Sequence, residues 1–187
     1  MLSNKYSHVF DKSLRRIAKI IPFSPNSLSI IGFLITLYAC YRLSFDLLAG
    51  GALILIGALF DILDGAVART KNRLTRFGAF LDSVLDRYSD AFIFLAIAYN
   101  LGHASNITGV ILCVGTLLGS FMTSYSRARA EGIGEECKYG IIERPERIIL
   151  ISFGAMSGFI VPILWVLVVL TNFTAMQRIY YIWNVTK

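Results

Sequence analysis

The sequence is poor in charge for its length. Of its 187 residues, 18 are lysine or arginine and 12 are aspartate or glutamate, so charged residues make up 16% of the chain. Soluble domains carry about 25%, whereas hydrophobic residues here reach 56% and the mean hydropathy is +0.64. This composition excludes an ordinary soluble domain and predicts a polytopic membrane protein.

Cysteine and histidine are also scarce. Cys40 and Cys113 lie inside apolar runs and Cys137 lies in a loop, so the sequence excludes a disulfide framework and shows no metal-ligand spacing. The histidines, His8 and His103, have no metal-binding partner near them in the sequence. The first 23 residues lack the continuous apolar run of a cleavable signal peptide, and none is expected.

Apolar runs follow one another along most of the chain. They predict six membrane helices, at about residues 27–43, 47–69, 75–99, 106–130, 143–158 and 161–180. Asn26 or Ser27 is the expected N-cap of the first helix, and the third is expected to begin near Thr75. Residues 4–21 place apolar and basic side chains on opposite faces, which predicts an interfacial amphipathic helix.

The predicted fold class is therefore an all-α integral membrane protein with six transmembrane helices and a preceding interfacial helix. We expect residues 1–24 to form a cytoplasmic juxtamembrane segment and residues 25–187 to form the transmembrane domain. Lysine and arginine occur at both termini and in loops 69–76 and 127–147, whereas only Arg42 lies near the other loops. This charge pattern predicts a multi-pass protein of the cell membrane with both termini cytoplasmic, and favours membrane lipid over nucleic acid as the partner of the basic residues.

Four aspartates stand in register at the ends of two neighbouring apolar runs. Asp61 and Asp64 are three residues apart and Asp82 and Asp86 are four apart, so each pair lies on one face of a helix. Carboxylates at membrane depth are costly and indicate function. Two such faces in contact would form a site of oxygen ligands for two divalent ions, Mg²⁺ or Mn²⁺, of the kind that promotes phosphoryl transfer.

Several residues near the aspartates bear on this interpretation. Gly65 and Gly78 would let a ligand or a neighbouring backbone come close, and Arg69 could reach a phosphate. Asp90 extends the Asp82 and Asp86 stripe, and we expect it to be hydrogen-bonded rather than ligating. The alternative is that the aspartates only form ion pairs at solvated helix ends, with Arg69, Arg73, Arg76 and Arg87.

The stretch from Asp61 to Asp86 resembles the signature of the CDP-alcohol phosphatidyltransferases, D-x₂-D-G-x₂-A-R-x₈-G-x₃-D-x₃-D, at every specified position. The resemblance implies six membrane helices, a CDP-linked lipid as donor, a small alcohol as acceptor, and release of CMP. It also implies a homodimer. Family roles carried to the matching positions make Asp61, Asp64, Asp82 and Asp86 the metal ligands, with Asp86 also the base. The positions implied to contact the CDP-lipid are Gly65, Arg69, Thr75 and the segment Ser24, Pro25, Asn26 and Ser27.

A second basic cluster bears on the acceptor. The residues in question are Arg127, Arg129, Lys138, Arg144 and Arg147. Guanidinium groups suit phosphate recognition, although the same residues could simply determine topology or pair with Glu143 and Glu146.

The segments that carry this cluster resemble the phosphatidylinositol-phosphate synthase branch of the family and its archaeal relatives. The resemblance implies inositol 1-phosphate as acceptor, with Arg127 and Arg129 on its phosphate and Lys138, Arg144 and Arg178 as helpers. Glycerol 3-phosphate is the alternative acceptor. A divalent-cation transporter is the alternative of another class, although its acids would be expected nearer the bilayer midplane.

Overall fold

The computed structural model describes residue 16 and residues 18–137 and 139–187. These residues form six long helices: α1 (Pro25–Leu43), α2 (Leu47–Thr70), α3 (Arg76–His103), α4 (Ile107–Gly132), α5 (Arg144–Ser157) and α6 (Ile160–Val185). No strand occurs among the described residues. The predicted all-α class is confirmed, and each helix lies within a few residues of its predicted position.

Length and composition divide the helices into two groups. Helices α1, α2, α4 and α6 are long and apolar enough to cross a membrane. Helix α5 has 14 residues, about 21 Å at 1.5 Å per residue, which is shorter than the roughly 30 Å hydrocarbon core of a bilayer. The first half of α3 carries several charges. The chain is thus a helical membrane protein, and a count of six complete spans remains a prediction.

Polar side chains determine where the helices begin. Ser24 caps α1 by accepting a hydrogen bond from the Ser27 amide, and Pro25 follows in the first turn. The prediction of Asn26 or Ser27 as the cap was wrong, because proline is favoured in the first turn and so displaces the cap to the residue before it. Thr75 caps α3 by accepting from the Gly78 amide at 2.9 Å, near the predicted start.

The helices enclose a main apolar core and a smaller second cluster. Helix α1 packs against α2 and α3, α2 against α5, α3 against α4, and α6 against both α4 and α5. The largest fully buried side chains include Ile54, Phe94, Ile97, Leu164 and Leu167. Because α1, α2, α3 and α5 converge through these contacts, the polar ends of α2 and α3 face the start of α5.

The segment before α1 is described only in part. Ala18 is fully buried and packs with Leu28, Ala66 and Val67 at one end of α1 and α2. The Lys71 ammonium donates to the Ile21 carbonyl at 2.5 Å. Most of the predicted interfacial helix over residues 4–21 lies outside the described residues, as does Lys138.

Candidate active site

Three aspartates from two helices form a compact cluster. One carboxylate oxygen each from Asp61, Asp64 and Asp82 lie within 4.8 Å of one another. Asp64 is buried, and Ser29 of α1 donates a hydrogen bond to its Oδ2. Carboxylate oxygens are the ligands preferred by Mg²⁺ and Mn²⁺, and gathering their charges in a partly buried place requires a counter-charge. The residues present therefore fit a divalent metal.

Asp86 lies one turn beyond Asp82 on α3 and has a different environment. Its Oδ1 is 2.8 Å from Arg144 Nη1, which also donates to Asp61 Oδ2 at 2.5 Å. Its Oδ2 is 3.7 Å from Arg87 Nη1. The main cationic neighbour of the aspartates is thus Arg144 of α5, and among the arginines of the solvated-helix-end alternative only Arg87 approaches one of these four acids in the described ion pairs.

A cavity of about 160 Å³ adjoins the cluster on one side. We call it the first cavity, and its polar or glycine lining includes Asn26, Ser29, Asp64, Gly65, Arg73, Thr75, Gly78 and Asp82. The structure therefore brings several of the positions implied to contact CDP next to the acids. Ser29 and Arg73 were not predicted for this place. The only sequence signals were a serine near the start of a membrane helix and a basic residue in the following loop.

Two glycines shape the wall of the first cavity. A Cβ on Gly78 would lie 2.9 Å from both Asn26 Oδ1 and Thr75 Oγ1. A Cβ on Gly65 would lie 3.3 Å from Arg69 Nη1, so the Arg69 guanidinium folds back over this glycine. Both glycines allow the close approach that the sequence predicted, in these cases by side chains of the protein itself.

A second cavity, of about 200 Å³, lies on the other side of Asp86. Its lining is dominated by charged residues from four helices and the loop before α5: Asp86, Arg87, Asp90, Arg127, Glu143, Arg144, Arg147 and Arg178. Three of the predicted acceptor residues, Arg127, Arg144 and Arg178, therefore meet there. Arg129 is exposed and does not line this cavity, because two residues along a helix turn the side chain by about 200°.

The buried arginines of the second cavity have protein partners. Arg178 is 3% exposed and donates from Nε to the Tyr139 carbonyl at 2.7 Å and from Nη1 to the Thr123 carbonyl at 2.6 Å. The exposed Arg127 donates from Nε to Glu131 Oε1 at 3.0 Å. Each guanidinium has five N–H donors, so further donors remain for a ligand.

The loop between α4 and α5 is held against α6. The Ile142 amide donates to Thr174 Oγ1 at 3.3 Å. Gly140 has a φ of +151°, and a Cβ there would lie 2.7 Å from Thr174 Cγ2. Glycine at this position therefore lets the loop pack directly on Thr174 and Arg178.

Glu143 and Glu146 act mainly at the start of α5. They form a capping box in which the Glu143 amide donates to Glu146 Oε2 at 3.1 Å. Glu143 is also 3.9 Å from Arg178 Nη2. Among the described ion pairs, neither acid is joined to the basic cluster of the sequence analysis, because Arg178 lies outside that cluster.

Comparison with known proteins agrees with this geometry. The CDP-alcohol phosphatidyltransferase family model matches residues 23–177. The chain is 38% identical over 191 residues to archaetidylinositol phosphate synthase of Methanothermobacter thermautotrophicus, covering 98% of this chain and 95% of that protein.

Two solved structures share the fold. The crystal structure of phosphatidylinositol phosphate synthase of Mycobacterium tuberculosis with CDP-DAG bound superposes with a TM-score of 0.84 at 32% identity, covering 91% of this chain and 93% of that one. The same enzyme in complex with manganese and citrate gives a TM-score of 0.82 at 31% identity, covering 92% and 88%. The family resemblance inferred from the signature is confirmed.

Proposed function

Because the chain belongs to the CDP-alcohol phosphatidyltransferase family and is a transferase of phospholipid synthesis, we propose that it transfers the phosphatidyl or archaetidyl group of a CDP-linked lipid to inositol 1-phosphate and releases CMP. One observation carries the proposal: an all-carboxylate cluster lies one helical turn from an arginine-lined cavity. The cluster suits a metal-bound pyrophosphate, and the arginines suit an acceptor that brings its own phosphate.

The donor occupies the first cavity with its cytidine diphosphate. Asn26 and Thr75 supply polar groups to this cavity, and Gly65 and Gly78 keep it open. Arg73 lines the cavity and Arg69 folds over Gly65 beside it, so both offset phosphate charge. The M. tuberculosis enzyme with CDP-DAG bound supports this choice of donor.

Asp61, Asp64, Asp82 and Asp86 would hold two divalent ions, Mg²⁺ or Mn²⁺. When bound, such ions neutralise the pyrophosphate and stabilise the negative charge on the departing phosphate of CMP. The manganese complex of the M. tuberculosis enzyme supports the choice of metal.

The chemical step balances with the groups of this chain. Asp86 accepts the proton of the acceptor hydroxyl, whose oxygen forms a bond to the lipid-side phosphorus. The bond between that phosphorus and the bridging oxygen breaks, and CMP leaves with the electron pair. Asp86 suits this role because it lines the second cavity whereas Asp82, one turn away, lines the first.

The second cavity binds inositol 1-phosphate. Arg127, Arg144 and Arg178 direct N–H donors to its phosphate, and Arg129 contributes only through charge at longer range. Lys138, outside the described residues, stays a predicted helper. The relatives named archaetidylinositol phosphate synthase and phosphatidylinositol phosphate synthase support this acceptor. Glycerol 3-phosphate carries the same phosphate and is the alternative within the family.

The enzyme works as a multi-pass protein of the cell membrane. Residues 25–187 form a transmembrane domain of six helices, preceded by the juxtamembrane segment 1–24. Both termini and the site face the cytoplasm, and the protein is a homodimer. The concentration of basic residues in loops 69–76 and 127–147 supports this orientation.

The test is an acceptor screen with purified protein in lipid vesicles, Mg²⁺ and a CDP-linked lipid with either diacyl or isoprenoid-ether chains. We expect CMP release with inositol 1-phosphate and none with free inositol, and chelation of the metal should stop it. Release only with glycerol 3-phosphate would assign the alternative acceptor. No release with any acceptor, combined with Mg²⁺ flux across the vesicles, would favour the transporter.

A further inference from the structure

Helices α3 and α5 are joined by two parallel ion pairs. Asp86 and Asp90 lie one turn apart on α3, and Arg144 and Arg147 lie one turn apart on α5. Arg144 Nη1 is 2.8 Å from Asp86 Oδ1, and Arg147 Nη2 is 2.7 Å from Asp90 Oδ2. Asp90 also contacts the other arginine, because Arg144 Nε is 3.5 Å from Asp90 Oδ1. Asp90 therefore uses one oxygen for each arginine.

The pair formed by Asp90 and Arg147 is the more deeply buried of the two. Asp90 is 4% exposed and Arg147 is 2% exposed. Removing either partner would leave a buried charge uncompensated, which is strongly destabilising. Asp90 lies outside the cluster formed by the other α2 and α3 aspartates and outside the family signature, so its charge stays available to the arginines when that cluster binds a cation.

Arg144 has contacts on two sides. Its Nη1 touches Asp61 and Asp86, two of the acids proposed to hold metal. Its Nε is buried without a hydrogen-bond partner and lies 3.5 Å from Asp90 Oδ1, and the residue also lines the second cavity. A divalent ion and a guanidinium compete for the same carboxylate oxygens and repel each other. Arg144 must therefore give up Nη1 contacts when a metal binds, and Asp90 is the carboxylate that can retain it.

From this geometry, and on the basis of the proposed function, we infer that Asp90 is a positioning residue. It draws the Arg144 guanidinium toward the second cavity, where the acceptor phosphate binds, and so leaves Asp61 and Asp86 accessible to the metal. Arg147 balances the remaining charge of Asp90. Without Asp90, Arg144 would pair fully with Asp61 and Asp86 and would act as a competing internal cation.

The experiment is a double-mutant cycle read out by Mn²⁺ affinity, without substrate. The charge-neutral double variant Asp90→Asn/Arg147→Gln keeps the net charge and can keep a hydrogen bond between the two side chains. We expect it to bind Mn²⁺ about tenfold more weakly than the unaltered protein, as measured by the electron paramagnetic resonance of free Mn²⁺. In an Arg144→Gln background the same double change should alter the affinity by less than about twofold.

The cycle separates positioning from a purely structural role. A structural link between α3 and α5 would give the same loss with and without Arg144, and that result would overturn the inference. An unchanged affinity in the presence of Arg144 would also overturn it. If the double variant does not fold, Arg144→Gln alone still tests the premise of the inference. It should tighten Mn²⁺ binding several-fold by removing the competing cation, and unchanged or weaker binding contradicts the inference.

A kinetic readout links the inference to the acceptor. The double variant should raise the KM for inositol 1-phosphate about tenfold with kcat changed by about twofold or less. A fall in kcat at constant KM would contradict a positioning role. The Mn²⁺ cycle uses neither donor nor acceptor, so its failure is distinguishable from failure of the proposed function, which the acceptor screen on the unaltered protein reveals.

Discussion

The two cavities that flank the aspartates are built in different ways. The first is lined by residues from the start of α1 and from the continuous stretch between Asp64 and Asp82, and local caps such as that of Thr75 fix its wall. The second draws on α3, α4, α5, α6 and the loop before α5. One of its buried arginines, Arg178, is held by two backbone carbonyls.

This difference in construction indicates how each cavity would bind the negative charge of a substrate phosphate. In the first, Asp64 and Asp82 have no cationic partner among the described ion pairs, so a metal would supply the counter-charge and substrate phosphates would bind through it. In the second, Arg144 and Arg178 are already oriented by the protein and can bind phosphate directly through their remaining donors. A preorganised cavity loses less side-chain entropy on binding and should discriminate acceptors by shape and charge.

The largest loss of activity should come from changing Asp86, which lies between the two cavities. Asp86→Asn removes the proposed base without changing the size of the side chain, so CMP release should fall on the order of 10³-fold. Binding of CDP-lipid, measured by calorimetry in detergent, should remain detectable, since Asp86 does not line the first cavity. The matched control is Asp46→Asn. Asp46 caps the start of α2, at the end remote from Asp61 and Asp64, and asparagine retains an N-capping side chain. Full activity of Asp86→Asn would remove Asp86 as the base.

The contrast between the cavities also explains what could be predicted from sequence. The aspartates stand at fixed spacing on two consecutive helices, so helical periodicity places each pair on one face, and the short loop between the helices keeps the two pairs at the same end. The partners of Arg144 and Arg147 depend on where the packing of α5 on α2 and α6 places it relative to α3, which no local pattern reveals. The difference between Arg127 and Arg129, by contrast, follows from helical periodicity, because two residues along a helix turn the side chain by about 200°.

A methyl group can be used to perturb the first cavity alone. Gly78→Ala would bring a Cβ within 2.9 Å of Asn26 Oδ1 and Thr75 Oγ1, so the KM for CDP-lipid should rise about tenfold. The KM for the acceptor should stay constant. Gly102→Ala in the same helix is the control, because its Cβ would meet only Val110 Cγ2 at 3.8 Å. An equal rise in both KM values would mean that the cavities are not independent.

The corresponding change in the second cavity is Gly140→Ala. The added Cβ would lie 2.7 Å from Thr174 Cγ2 at a φ of +151°, so the loop must move away from Arg178. We expect the KM for the acceptor to rise severalfold, up to about tenfold, with donor binding unchanged. Gly134→Ala in the same loop also has a positive φ, of +89°, but meets nothing within 4 Å. This control carries the backbone strain without the steric contact, and an equal effect of the two changes would contradict the role of loop packing.

The smallest expected change in KM comes from comparing two arginines of α4, Arg127 and Arg129. Arg127 lines the second cavity, whereas Arg129, two residues further along α4, is exposed and does not. Arg127→Gln should raise the KM for inositol 1-phosphate about fivefold, a modest change because this side chain is partly exposed and already paired with Glu131. Arg129→Gln should change the KM by less than about twofold, since its charge acts only through solvent. Equal effects would mean that long-range charge rather than direct contact recognises the acceptor, and the second cavity would then resemble a basic surface more than a preorganised site.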